Sequence, residues 1–139
     1  MSEGAWTIGR MEPLPADVVA LLTRPNPAVV ATVRRDGAPV SAAVWYLWSS
    51  GEVLLSMGVA SPRRRQLERD PRLTLTVLDA DSWYRQVTLH GEAVEIADDP
   101  DRAVIDRLSQ HYDDRPYPDT VHAHAFVRVR VTGWNTFGV

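Results

Sequence analysis

The sequence predicts a mainly β, α+β fold: a small antiparallel barrel, closed or partly split, of six strands with about three short helices. Three observations carry that expectation. Several short runs alternate β-branched or apolar residues with polar ones, the period of a half-buried strand. They are joined by short turns, one of which, Arg35-Asp36-Gly37-Ala38, has the Asp-Gly signature of a tight hairpin. Six strands of this length, laid flat, would leave long open edges, which a barrel removes.

The elements follow in order. Pro13-Leu14-Pro15 precedes a helix from Ala16 to Arg24, with Val18, Val19, Leu21 and Leu22 as its apolar face, and Pro25-Asn26-Pro27 ends it. Strands are expected over Ala28 to Arg34, Pro39 to Trp48 and Val53 to Met57. Ser61 and Pro62 then open a second helix as N-cap and first helical residue, and Asp70-Pro71 closes it. Leu73 to Asp79 and Trp83 to Ile96 read as a strand and its mate. A third helix is expected from Asp99-Pro100, with Val104, Ile105, Leu108 and Tyr112 along one face. A polar loop, Asp113 to Asp119, precedes the strictly alternating Phe126 to Val131.

Composition narrows the function. A chain of 139 residues with 45% apolar residues suits a single domain over residues 1–139. The absence of cysteine excludes disulfides, thiolate nucleophiles and Cys-ligated metal centres. No apolar run approaches the roughly 20 residues of a membrane span, and Met1 to Arg10 does not read as a leader. A cytoplasmic protein with no membrane partner is expected. The net charge of −3 argues against a nucleic-acid surface. All 15 basic residues are arginine, so any phosphate site here is built from guanidinium forks.

The segment Ser61 to Leu67 is the most informative. Helices favour acidic residues in their first turn, yet this one carries Arg63, Arg64 and Arg65 there. Each cation opposes the helix dipole by roughly 0.3–1 kcal/mol. A bound phosphate reverses that sign, each charge-assisted hydrogen bond contributing about 1.5–3 kcal/mol. The competing reading is a solvated run paired with Glu68, Asp70 or Asp36. Arg102, at the start of a different helix, is expected to have no part in the site.

Ordered motifs add a resemblance. Ala31-Thr32, Asp36-Gly37-Ala38-Pro39, Trp45-Tyr46, Ser61-Pro62-Arg63, Gln66-Leu67, Arg69-Asp70-Pro71-Arg72 and Gly91-Glu92-Ala93 stand in sequence. Their order and spacing resemble the pyridoxamine 5'-phosphate oxidase-like split-barrel superfamily, especially its actinobacterial deazaflavin (coenzyme F420)-dependent reductases. The resemblance implies a six-stranded antiparallel split β-barrel, a homodimer with cofactor at the interface, and F420, with FMN as the alternative. It implies hydride transfer to a small unsaturated or conjugated substrate. Carried over by position, Ser61, Arg63 and Gln66 hold the phosphate. Ala43, Val44 and Trp45 lie along the ring, and Met57 and Gly58 pass the ribityl chain. The chain departs from the family pattern with Arg63 in place of the usual lysine, and with Met57 and Gly58 at positions often polar. A non-catalytic cofactor carrier would need the same clamp.

Five tryptophans are many for this length. Core packing accounts for most; Trp45 is the candidate ring wall, where stacking adds about 0.5–1.5 kcal/mol beyond burial. A barrel this small is filled by its own side chains, so a tricyclic ring belongs in a groove between two copies. Trp83, with Tyr84 and Arg85, is the expected contribution of the partner. His122 and His124 share a strand face, but no acidic cluster supports a metal site. No nucleophile–base arrangement or Gly-rich phosphate loop is present, as expected where the cofactor carries the chemistry.

Overall fold

A computed structural model of the chain describes residues 6–9 and 13–139. In chain order it runs β1 (Trp6–Gly9), α1 (Ala16–Thr23), β2 (Ala28–Val33), β3 (Pro39–Val44), β4 (Leu47–Ser49) and β5 (Glu52–Gly58). It continues through α2 (Pro62–Arg69), β6 (Arg72–Asp79), β7 (Ser82–Asp98), α3 (Ala103–Asp113) and β8 (His124–Phe137). The strands form one antiparallel sheet in the order β3-β2-β6-β7-β8-β5-β4. Strands β7 and β8 are its spine. The first half of β8 pairs with β5 and its last residues with β1.

Alternation puts one face of each strand inside. Val30 of β2, Leu55 of β5, Leu75 of β6, Leu89 of β7 and Val127 of β8 meet in one buried cluster. Residues from strands at opposite ends of the order share that cluster, so the sheet is curled, with its seam between β3 and β4. Each such side chain contributes roughly 1.5–3 kcal/mol on burial. Helix α1 adds Val18, Leu21 and Leu22 to the same core. Among the described residues, no helix is long and apolar enough to cross a membrane.

The mainly β architecture with three helices is the one expected, with eight strands instead of six. Strand β1 was not read from the sequence. The run Pro39 to Trp48 splits because Tyr46 turns fully into the core, where its hydroxyl donates to the carbonyls of Leu22 (2.7 Å) and Arg24 (3.2 Å). That rotation takes Trp45 and Tyr46 out of β3, and the chain rejoins the sheet as β4 on β5. The Asp36-Gly37 turn forms as expected, with Gly37 at φ +86° and the Asp36 carboxylate accepting from the Ala38 N–H.

Helix α3 starts at Ala103, four residues after the expected Asp99. Asp99 still governs the start: its buried carboxylate accepts from the N–H groups of Val104 (3.0 Å) and Ile105 (3.2 Å). Arg102 bridges the two in the left-handed region (φ 61°), which costs a non-glycine residue roughly 1–2 kcal/mol.

Candidate functional site

Helix α2 forms at the expected residues. The Ser61 hydroxyl oxygen accepts from the Arg63 N–H at 3.2 Å, and Pro62 takes the first helical position. The first-turn N–H groups are satisfied internally, Arg63 by that hydroxyl and Arg64 by the Ser61 carbonyl. Anion binding here therefore rests on side chains more than on free backbone donors.

The three arginines of the run separate. Arg64 is tied down: Asp98 accepts from it at 2.7 Å, Glu68 lies at 3.6 Å, and Asp98 holds its pKa above the usual value. Arg65 is exposed. Arg63 is half-buried and has no carboxylate or carbonyl partner, and burial alone pulls its pKa down. Among the described residues, every other arginine is either exposed or partnered. Leaving a guanidinium desolvated and unpaired is unfavourable in the free protein.

Arg63 lines an open, mostly apolar groove of about 670 Å³. That volume lies within the roughly 300–1,000 Å³ range of small-molecule sites. It is lined by Ala43, Val44 and Trp45, by Ile105, Leu108 and Tyr112 of α3, and by Pro25 and Pro27. Arg63 also lines a smaller cleft of about 190 Å³ with Thr32, Ser41 and Gln66. There the Thr32 hydroxyl donates to Gln66 Oε1 at 2.6 Å, which leaves the Gln66 amide N–H groups free to donate.

Four expected residues thus share the groove: Ala43, Val44, Trp45 and Arg63. Gln66 is in the adjoining cleft, and Ser61 caps the helix beside it. Met57 faces inward, at 5% exposure, in the core; its neighbour Ser56 lines the groove instead. The alternation Val53, Leu55, Met57 already pointed that way. Gly58 is exposed and its carbonyl accepts from the Ser61 N–H. Trp83 and Tyr84 lie apart from the groove lining and are 71% and 80% exposed. His122 bonds to Asp119 at 2.7 Å while His124 meets the Tyr117 ring. Among the described residues, no group of three or more His, Asp or Glu is placed to hold a metal ion.

The α3 part of the lining was not legible from the sequence. Trp45 stacks on Tyr112 (5.1 Å between centroids, 12° between planes), and Tyr117 meets Trp45 edge-on at 5.9 Å. Tyr112 bolts α3 to the proline segment: its hydroxyl donates to the Asn26 carbonyl at 2.8 Å and accepts from the Tyr46 N–H at 3.4 Å. Burial pushes the Tyr112 pKa up from 10 to about 12, and raises that of Tyr46 further. A folded pKa above the unfolded one gives stability that is full below pH 10 and lost as pH rises towards 12. The thermal midpoint is expected to fall steeply across that window, and Tyr112→Phe should flatten the fall. An equally steep fall in the Phe variant would contradict the assignment.

Comparison with known proteins places this geometry among similar folds. A family model described as pyridoxamine 5'-phosphate oxidase matches residues 14–138. An F420 reductase is 28% identical, covering 87% of this chain and 98% of its own, with a TM-score of 0.79. A conserved hypothetical protein from Mycobacterium tuberculosis is 25% identical, covering 87% and 85%, with a TM-score of 0.67. An FAD- and heme-binding protein from Mycobacterium smegmatis shares the fold at 21% identity, covering 90% and 72%, with a TM-score of 0.66.

Proposed function

Because the chain belongs to the pyridoxamine 5'-phosphate oxidase family, we propose that it is an oxidoreductase whose groove holds reduced F420 and presents it to a small unsaturated or conjugated substrate. The observation that carries this reading is Arg63: an unpaired, half-buried guanidinium in the lining of an apolar groove. A phosphate there gains a bidentate charge-assisted partner. The Ser61 hydroxyl and the Gln66 amide, both beside Arg63, are the further donors. The cofactor supplies the hydride chemistry, and the residues of the chain bind it, orient it and exclude water. Ala43 to Trp45 carry the ring, with backbone groups available along the exposed edge of β3, and the apolar α3 residues beside them exclude water. The likeness to an F420 reductase supports the deazaflavin; FMN fits the same clamp.

Titration with F420 and with FMN, read by visible spectrum and by mass, tests the cofactor. Oxidation of reduced F420 with a panel of enones and quinones then separates turnover from carriage. Tight binding without turnover of any acceptor would make the protein a carrier.

The exposed Trp83 and Tyr84 fit a second copy lying across the groove, with two equal sites about a twofold axis. Sedimentation at micromolar concentration should give roughly twice the 15.5 kDa chain mass. A monomer that still binds cofactor would refute the shared site.

A further inference from the structure

Tyr117 reaches the groove from the segment between α3 and β8, which has no regular structure of its own. The segment is nonetheless fixed at this residue from both sides. The Tyr117 N–H donates to Asp106 Oδ1 at 2.9 Å, and its carbonyl accepts from Arg102 Nη2 at 2.5 Å. The other end of the same guanidinium donates to the Asp119 carbonyl at 2.6 Å, and Asp106 lies 3.4 Å away. Arg102 itself is not among the groove residues. The Tyr117 ring then stands edge-on to Trp45 (5.9 Å, 83°) and also meets the His124 ring edge-on (5.4 Å, 84°). One planar fork spanning two carbonyls two residues apart is a contact that suits a guanidinium better than a point-charge ammonium.

We propose that Arg102 is a positioning residue: it holds Tyr117 edge-on to Trp45 in the aromatic lining of the groove, so that recognition of a flat ring is set by Arg102 and Tyr117 independently of the phosphate clamp at Arg63. The proposal rests on the flavin-type reading of the groove and adds a division of labour within it. It also departs from the expectation that Arg102 has no part in the site. The aromatic lining of the groove comes from the Trp45, Tyr112 and Tyr117 rings, whereas its cationic group is the Arg63 guanidinium. Ring affinity and phosphate affinity therefore separate by residue.

Riboflavin and its 5-deaza analogue carry the ring without phosphate; FMN carries both. Titration of the whole protein with each, alongside melts of the ligand-free forms, tests the division. Arg102→Ala and Tyr117→Ala should each weaken riboflavin and FMN by the same factor, roughly three- to tenfold. Arg63→Ala should weaken FMN alone, down to the riboflavin level. In a Tyr117→Ala background, Arg102→Ala should add nothing, a readout that general destabilisation would not give. Arg102→Lys should recover part of the loss. Wild-type ring affinity in Arg102→Ala, or losses that multiply in the double variant, would overturn the proposal. Binding of FMN with none of the phosphate-free rings would also overturn it while leaving the clamp intact. Binding of no ring and no phosphate ester by the wild type would remove the underlying reading with it.

Discussion

Arg63→Ala is expected to weaken binding of F420 and FMN by roughly ten- to a hundredfold, the equivalent of about 1.5–3 kcal/mol. The free protein should fold at least as well as wild type, because Arg63 is unpaired, opposes the α2 dipole and is partly desolvated. Loss of affinity without loss of stability is the signature of a ligand-binding group. Arg63→Lys should lose less, keeping the charge but not the fork. Ser61→Ala should lose on both counts, since its oxygen caps the Arg63 N–H and that cap contributes about 1 kcal/mol. Arg107→Ala, an exposed and unpartnered arginine on α3, is the control. Titrations of each variant, read with apo-protein melts, measure the two effects separately. Wild-type affinity in Arg63→Ala would return the whole arginine run to an ordinary solvated face.

What was legible in the sequence was local. Turn chemistry at Asp36-Gly37 and capping at Ser61-Pro62 are decided within a few residues, so both formed where expected. Strand alternation was legible for the same reason. The interruption of β3 was not, because Ala42 to Trp48 reads as one apolar run and only the burial of Tyr46 ends it. The groove was half legible. Its Ala43-Val44-Trp45 wall and Arg63 lie on elements whose motifs stand in the sequence. Further lining comes from Ile105, Leu108 and Tyr112, whose spacing announces an apolar face but not which partner covers it. Tyr117 sits in a stretch that reads as a polar loop, and nothing local signals that Arg102 fixes it.

Gly91 shows the same gap between a motif and its cause, and its replacement carries the largest expected loss of stability. It lies at a bulge in the β7–β8 ladder: His90 pairs with Gly133 and Gly91 with Val131, so Thr132 has no opposite number. The bulge presses the strands together. A Cβ on Gly91 would sit 2.7 Å from the Arg130 carbonyl oxygen and 2.8 Å from Val129 Cγ1. The first of these is backbone and cannot rotate away, so the spine of the sheet would have to part. Gly91→Ala is expected to destabilise by about 3 kcal/mol, the upper part of the overpacking range. For a chain of this size that lowers the melting midpoint by roughly 10 °C. Gly58→Ala is the matched comparison: a Cβ there meets nothing within 4 Å, and the backbone is not left-handed. It should shift stability by less than about 0.5 kcal/mol. Below its melting point, Gly91→Ala should bind cofactor like wild type, because Arg63 and Trp45 lie on α2 and the β3–β4 connection and neither belongs to the β7–β8 ladder. Equal midpoints for Gly91→Ala and Gly58→Ala would mean that the ladder does not close tightly at Thr132, and the register assigned to β7 and β8 would have to shift.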